Sequence, residues 1–445
     1  MEKTKYIIIG NSAGGIGAAE AIREVDGAGT ITIISDEAYP AYSRPLISEY
    51  LAGRYTLEKM LYRPAGFYEQ NGIRTLLGEK VTKLDAAGHT LTLESGGTVT
   101  WEKLLLATGG TPIVPRMDGV DLQGVFTFNK LDDAMAIDEF LGRSKRRVRA
   151  VVIGGGLIGA SVTEALVKRD VAVTIVEMKD RVLNTILDEE ASALEAEALA
   201  GIGVTIITGH TAEEINGYAS GEVRGVSLDN GRLLPCEMVI LAIGVQPRLD
   251  AVHDSGIEIN RGIVVDRSMA ASVPDIYACG DVAEAYDFVY GENRLTPIWP
   301  NAYNEGRVAG RNMAGVPTEY EGGTAMNAVK YFGVNILSAG MVTPPGDGYD
   351  TVTRRYNGIY KNVIIKDGLI VGMVFAGDIE KAGIVYNLMK DGVDVNSFKD
   401  VLVADDFSLA SLPEDIWRTK LALLTSEVAS GIRAIEEPEE AVFDE

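Results

Sequence analysis

A chain of 445 residues with a net charge of −23 is long enough for two to four domains with ample core, and its acidity argues against nucleic acid or an anionic membrane as partner. Its two cysteines and three histidines are scattered, which leaves no local metal or disulfide motif and no Cys–His nucleophile pair, so the chemistry is expected to come from bound cofactors. No apolar run reaches the ~18 residues of a membrane span, and the first residues lead into a strand rather than a signal peptide; the expected location is cytoplasmic.

The first predicted elements are an apolar strand, Tyr6 to Ile9, a glycine-rich turn, and a helix from Ile16 to Arg23. A second strand, Thr30 to Ile34, runs on to Asp36. Strand, tight turn, helix, strand and acid make up the βαβ unit that binds a dinucleotide. The turn (Gly10, Ser12, Ala13, Gly14 and Gly15) lets backbone N–H groups approach a pyrophosphate, and the helix start adds partial positive charge. Asp36 is placed to accept from ribose hydroxyls. Ser12 stands where the usual pattern has its second glycine.

The loop Tyr39 to Ser48 carries one cation, Arg44, which is either a surface arginine or a fixed charge against the cofactor. A short helix follows, Ser48 to Gly53. Glu79 to Asp85 reads as a strand, and Thr90 to Thr100 as a hairpin turning at Gly96-Gly97. Leu104 to Leu106 is a buried strand that runs into Thr108-Gly109, and Thr111 to Pro115 leads out of the unit as a domain crossing.

Leu131 to Leu141 has amphipathic helical spacing. The basic run Arg143 to Arg149 is either a solvated linker or a docking patch for an acidic partner. A second unit then starts at Val151, with Gly154, Gly156 and Gly159 completing G-x-G-x-x-G, a helix, the strand Val171 to Val176, and Glu177. Two such units in one chain most simply hold a flavin and a nicotinamide nucleotide. Glu177 can accept from the adenosine ribose and would repel a 2′-phosphate by roughly 1–3 kcal/mol, which predicts NADH over NADPH. Arg181, four residues on, could soften that preference.

Val204 to Ile207 and a hairpin at Asp229 to Arg232 are expected to continue this sheet. Val239 to Pro247 mirrors Leu104 to Pro112 as buried strand, glycine, proline, which suggests an internal duplication. Ile276 to Ala278 is a strand ending in Gly280-Asp281, either a plain turn or an aspartate that accepts from a ribityl hydroxyl; Cys279 reads as a small buried residue. A helix, Trp299 to Gly310, follows. From Thr324 the pattern is an antiparallel sheet with a hairpin at Asp367-Gly368 and a helix from Ile379 to Asp391. Pro413 to Ile435 has helical spacing, as core cover or a docking helix, before an acidic end from Glu436.

Together these motifs resemble the FAD-dependent pyridine nucleotide–disulfide oxidoreductases, over about residues 4 to 400. The Gly10 turn, the Ala107-Thr108-Gly109 crossing, the Gly154 to Gly159 fingerprint and the Ala278-Cys279-Gly280-Asp281 box occur in that family's order. Tyr42-Ser43-Arg44-Pro45-Leu46 and Trp299-Pro300-Asn301-Ala302 are similar to the branch of NADH:rubredoxin reductases, ferredoxin reductases and the flavin part of assimilatory nitrite reductases. The resemblance implies an α/β fold with two Rossmann-like nucleotide-binding domains, arranged as in glutathione reductase, plus a C-terminal α+β interface domain of a homodimer. The implied divisions are an FAD domain in two segments (1–116 and 247–320), an NAD domain (117–246), an interface domain (321–400) and a helical, acidic tail (401–445). It implies FAD at Gly10, Ser12, Ala13, Gly14, Gly15, Asp36, Arg44, Val81, Thr108, Gly109, Gly280 and Asp281, with Glu49 and Lys130 also cofactor-binding. It implies NAD at Gly154, Gly156, Leu157, Ile158, Gly159, Glu177 and Gly244.

The departures set the expected function. The family's disulfide reductases carry a cysteine in the segment after the first acid, and Pro40 to Gly53 has none. No C-terminal histidine is present to serve a thiol. Two positions often occupied near the flavin N5 by lysine and glutamate are Glu49 and Ser161 here. The expectation is an NADH:acceptor oxidoreductase that passes hydride to FAD and electrons on to a small iron–sulfur carrier, a ferredoxin or rubredoxin; the route could also reduce NAD⁺. Two rivals stand beside it: a cysteine-independent NADH oxidase using O₂, and an NADH-binding flavin subunit of a larger iron–sulfur complex.

Overall fold

The computed structural model describes residues 2–414 and 416–418. Its first sheet grows from the N-terminal apolar run. Strand β1 (Glu2–Ile9) lies between β2 (Ile31–Ser35) and β6 (Thr98–Leu106), parallel to both. With β3 (Ile73–Leu77), β4 (Val81–Asp85) and β5 (Thr90–Leu93) the order is β3-β2-β1-β6-β5-β4. A strand from the far half of the chain, β18 (Ile276–Ala278), pairs with β6 in the register Ile276↔Leu104. Ile7, Ile8, Ile33, Ile34, Leu104 and Leu105 are fully buried, as a sheet covered on both faces requires. The second hairpin arm and the buried strand of the sequence reading are one strand, β6, whose burial alternates at first and becomes complete over Leu104–Leu106.

Helices α1 (Ala13–Val25) and α8 (Trp299–Met313) pack against each other almost backbone to backbone. A Cβ on Gly306 would stand 2.0 Å from the Gly14 carbonyl oxygen, and one on Gly310 2.4 Å from that of Ala18. Only glycine permits that approach. Three short helices, α2 (Ile47–Leu51), α3 (Leu57–Met60) and α4 (Phe67–Gln70), fill the connection from β2 to β3.

The second sheet is parallel, in the order β11-β10-β9-β15-β8: β8 (Val125–Thr127), β9 (Arg149–Ile153), β10 (Ala172–Glu177), β11 (Thr205–Thr208) and β15 (Met238–Leu241). Helices α5 (Leu131–Arg143), α6 (Leu157–Lys168) and α7 (Glu189–Gly201) belong to this unit. The hairpin at Asp229 to Arg232 does not continue this sheet. It joins β13 (Val223–Leu228) to β14 (Leu233–Pro235), which with β12 (Ala212–Gly217) form a separate antiparallel sheet. Its apolar side, with Ile215, Val223, Val226 and Leu228, packs over Val151, Ile153, Val239 and Leu241. A hairpin arm lacks the crossover that a parallel edge needs, so it is laid over the sheet as a second layer. The two mirrored proline segments meet, as β7 (Gly110–Pro112) pairs antiparallel with β16 (Val245–Pro247).

Three short strands, β17 (Ile263–Val264), β19 (Ala283–Asp287) and β20 (Glu292–Arg294), form a small sheet. The last sheet is antiparallel, in the order β21-β22-β25-β24-β23: β21 (Met326–Tyr331), β22 (Val334–Gly340), β23 (Asp350–Tyr356), β24 (Ile359–Lys366) and β25 (Leu369–Ala376). Its Asp367-Gly368 turn has φ of 51° and 82°, the doubly positive geometry of a two-residue hairpin. Helix α9 (Ala382–Lys390) covers one face through Ala382, Val385 and Leu388. Asp188, the N-cap of α7, ties this sheet to the second unit by accepting from Tyr360 Oη at 2.7 Å and Asn362 Nδ2 at 3.0 Å. The helix expected from Pro413 to Ile435 lies mostly outside the described residues, and the acidic end wholly so. Among the described residues no helix is long and apolar enough to cross a membrane.

Candidate functional site

Helices α1 and α6 begin at the two glycine turns, and their N-termini are alike. N-caps Ser12 and Gly156 make no side-chain cap, and neither first turn holds an acid. The other long helices of the second unit are capped: α5 by the Asp133 carboxylate, α7 by Asp188 accepting from Ala191 N. Within the second unit, the α6 start at its glycine turn is thus left without such a cap, as is that of α1 in the first, an arrangement suited to an anion. Ser12 fits the turn without strain because its φ is −122°.

The glycines separate into two kinds. At Gly10 (φ 120°) a Cβ would lie 2.0 Å from the Ala107 carbonyl oxygen, and at Gly154 (φ 108°) 2.3 Å from that of Ala242. At Gly15 and Gly159 it would meet the oxygens of Gly10 and Gly154, each at 2.0 Å, and at Gly14 the Cys279 Sγ at 2.7 Å. The chain's own packing demands these five. Gly156 has φ −79° and nothing within 4 Å of a would-be Cβ. Neither backbone nor packing asks for glycine there, so the space over the turn fits the close approach of a ligand's phosphates.

A cavity of about 540 Å³ reaches from the first turn to the start of α6. It is lined by Gly10, Ser12, Ala13, Gly14 and Asp36, by Arg44, Thr108, Gly109, Lys130, Gly280 and Asp281, and, at its α6 end, by Leu157, Ile158 and Ser161. The C-terminal sheet supplies Asn327, Val329 and Tyr331 to that end. Three residues expected at the cofactor are not in its wall. Gly15 lies behind Gly10, Val81 is buried in β4, and Glu49 forms an ion pair with Arg54. Gly154, Gly156, Gly159, Glu177 and Gly244 lie outside this cavity, about the second turn and the end of β15.

The polar wall is heavily cross-linked. Arg44 pairs with Glu37 and donates to the Asn129 carbonyl at 2.9 Å; Tyr42 Oη donates to Glu37 at 2.5 Å and accepts from Leu131 N at 3.0 Å. Burial pushes the Asp281 carboxyl up, and the Arg44 charge opposes that rise. Asp36 is held by Arg248 at 2.8 Å, and the Arg248 backbone is fixed by Thr108 Oγ1 and by the Gly109 carbonyl, each at 2.9 Å. Arg248, Glu37 and Tyr331 were not foreseen in the sequence. Their partners lie on other elements, and no local spacing announces them.

Glu177 is 8% exposed and bonded through both oxygens, to Gly155 N at 2.7 Å and Lys179 N at 2.8 Å. Arg181, close by, pairs with Asp180. In the basic run, Arg143, Arg147 and Arg149 pair with Glu139, Asp170 and Glu237. Cys279 is fully buried, and burial raises its thiol well above the usual range. Among the described residues no group of three or more His, Cys, Asp or Glu is placed to hold a metal ion.

Residues 4–306 match the family described as pyridine nucleotide-disulphide oxidoreductase, and residues 326–393 match the rubredoxin NAD+ reductase C-terminal domain. The chain is 31% identical over 426 residues to the epsilon subunit of the NADH-dependent phenylglyoxylate dehydrogenase of Aromatoleum evansii, covering 94% of this chain and 99% of that one. It is 29% identical over 411 residues to the nitrite reductase [NAD(P)H] of Bacillus subtilis, covering 92% of this chain but only 50% of that enzyme. Among solved structures it is similar to NADH:rubredoxin oxidoreductase from Clostridium acetobutylicum, with a TM-score of 0.74, 26% identity, and coverage of 91% and 100%.

Proposed function

The chain belongs to the pyridine nucleotide–disulphide oxidoreductases, enzymes that work with FAD and NAD(H), and from that premise we propose that it passes hydride from NADH to FAD and electrons onward to a small iron–sulfur carrier of the ferredoxin or rubredoxin type. The carrying observation is a cavity that reaches from the first nucleotide turn to the start of α6 while its one bordering thiol, Cys279, is fully buried. A family member without an exposed thiol there has no dithiol step to offer. FAD, when bound, supplies hydride acceptance and one-electron release.

The chain's own part is placement. The Gly10 turn and α1 face one pyrophosphate, and Asp36, steadied by Arg248, accepts from ribose. The Gly156 turn and Glu177 hold the NADH adenosine, which favours NADH over NADPH. Leu157, Ile158 and Ser161 then direct the nicotinamide toward the cavity, where hydride transfer needs an approach of roughly 3–3.5 Å. Trp299 borders the cavity and meets Tyr62 edge-on at 5.1 Å, an aromatic path to the surface. The C-terminal sheet serves as the interface of a homodimer.

Anaerobic stopped-flow reduction by NADH, followed by mixing with rubredoxin, ferredoxin or O₂, tests the reading. Fast reoxidation by a carrier and slow reoxidation by O₂ support it; fast oxygen consumption without a carrier overturns it in favour of an oxidase. A second reading, the NADH-binding flavin subunit of a larger iron–sulfur complex, is favoured by the near full-length similarity to a dehydrogenase subunit. Co-purification with a cluster protein, lost when the residues beyond 418 are removed, would support it. The cut starts that late because Phe407 and Leu412 belong to the C-terminal core.

A further inference from the structure

Helix α8 carries a carboxyl group that the proposed hydride route does not use. Glu305 is 2% exposed, and its Oε2 accepts the backbone N–H of Gly280 at 2.7 Å. Gly280 and Asp281 border the cavity directly, and Gly280 holds φ 73°. Glu305 therefore fixes the backbone of the turn that presents Asp281. Its neighbour Gly306 is pressed on Gly14 of the first nucleotide turn, so the side chain has little room to leave.

We propose that Glu305 is a proton-linked positioning residue: it anchors the Gly280–Asp281 turn and takes up a proton when electrons enter the cavity. The inference rests on a flavin seated in this cavity.

The surroundings suit that role. Burial, then the Asp281 charge, push the Glu305 carboxyl up to about 8, against the pull of the Gly280 N–H and the Tyr320 hydroxyl. Tyr320 and Cys279 are both raised by burial and stay neutral. Arg44 faces Asp281. On α1, Glu20 is engaged by Arg63 and Tyr303, and Glu24 by Arg307. No cation is paired with Glu305 among the described residues, so its ionisation follows the charge in the cavity. Two electrons and one proton arrive together as hydride from NADH. Where Glu305 is ionised, one carboxylate oxygen then forms an O–H bond with one further proton from water. That proton returns to water when the two electrons leave.

The test is an anaerobic potentiometric titration of the holoenzyme with redox dyes from pH 7 to 9.5. One proton per two electrons gives about 30 mV per pH unit, the value of a tenfold change for a two-electron couple. The expected wild-type slope doubles to about 59 mV per unit above about pH 8. Glu305→Gln, which keeps an acceptor for Gly280 N–H, should hold the single-proton slope throughout. A wild-type slope that never steepens, or a Gln variant that still steepens, overturns the proposal. If Glu305→Gln does not retain flavin, Tyr320→Phe carries the test: without the hydroxyl the steepening should begin at higher pH, and an unmoved onset overturns the proposal. Asp281→Asn separates the premise from the inference. A flavin spectrum it leaves unmoved removes the premise; a shifted spectrum with a single-proton wild-type slope removes only the role of Glu305.

Discussion

The Glu177 carboxylate, at the end of β10, lies 2.7 Å from the backbone N–H of Gly155, inside the second nucleotide turn. The acid proposed to choose between nicotinamide cofactors is also a strut of the turn proposed to bind them. Replacing it therefore acts on both. Glu177→Ala should lower kcat/KM for NADH about 10- to 100-fold, the loss of a charged hydrogen bond worth roughly 1.5–3 kcal/mol. NADPH should lose less, because its repulsion is relieved together with the strut. Steady-state kinetics with both nucleotides checks this, and a variant with unchanged NADH kinetics refutes the assignment.

Gly156 and Gly10 should respond oppositely to alanine. Gly156→Ala meets open space at a φ that any residue adopts, so folding stability should change by about 1 kcal/mol or less. Its methyl group would intrude on the ligand's phosphates, so KM for NADH should rise about tenfold or more. Gly10→Ala meets the Ala107 carbonyl at 2.0 Å with φ 120°, so it should cost several kcal/mol (about 2–4) and release flavin. Thermal denaturation beside NADH titration separates the two. A Gly156→Ala protein that unfolds but binds NADH normally when folded would reverse the assignment.

Glu195, on α7, is wholly buried, and neither carboxylate oxygen has a hydrogen-bond partner. Burial, helped by Glu164, pushes its carboxyl up to about 8. In the unfolded chain it titrates near 4.3, so between these values the folded state binds more protons. Stability should fall as pH rises from about 4.3 to about 8, then level off for this group. Glu195→Leu should remove that slope and stabilise by roughly 2–4 kcal/mol at pH 7. Denaturant midpoints across pH 5 to 8 decide it; parallel curves for both proteins would show that Glu195 has a partner in solution.

Arg44 bridges Glu37 and the Asn129 carbonyl, and its charge reaches Asp281. Arg44→Ala leaves the Glu37 charge at the cavity wall without its cation. Stability should drop by roughly 1–3 kcal/mol, less than for a fully enclosed pair because Arg44 is partly exposed. The flavin should be lost on gel filtration. Arg44→Lys should recover little, since an ammonium cannot reach both partners in the geometry of a guanidinium. A flavin content equal to wild type in both variants would refute a cofactor role.

The elements nearest the two turns were the most readable in the chain, because a glycine turn after an apolar strand is a local pattern with a local cause. Five glycines there are required by carbonyls and side chains the fold brings against them, and Gly156 is set apart by the space above it. What the chain does not display is pairing across distance. Nothing near Asp36 announces Arg248, and nothing near Gly280 announces Glu305, which reads along the sequence only as one more helical acid. The hairpin at Asp229 to Arg232 shows the same limit: its turn is local and legible, but the layer it joins is set by which apolar face remains uncovered. Glu49, which the family resemblance sets at the cofactor, pairs with Arg54 in the fold and lies outside the cavity wall.

The register of β18 on β6 and the press of Gly306 on Gly14 also bear on synthesis. As the polypeptide leaves the ribosome, the parallel strands about Gly154 are complete once Leu241 has emerged, while the first turn still lacks α8 until Met313. A nascent chain halted between those points would own a finished second nucleotide unit and an open first one. The N-terminal turn, first to be made, would be the last to be enclosed.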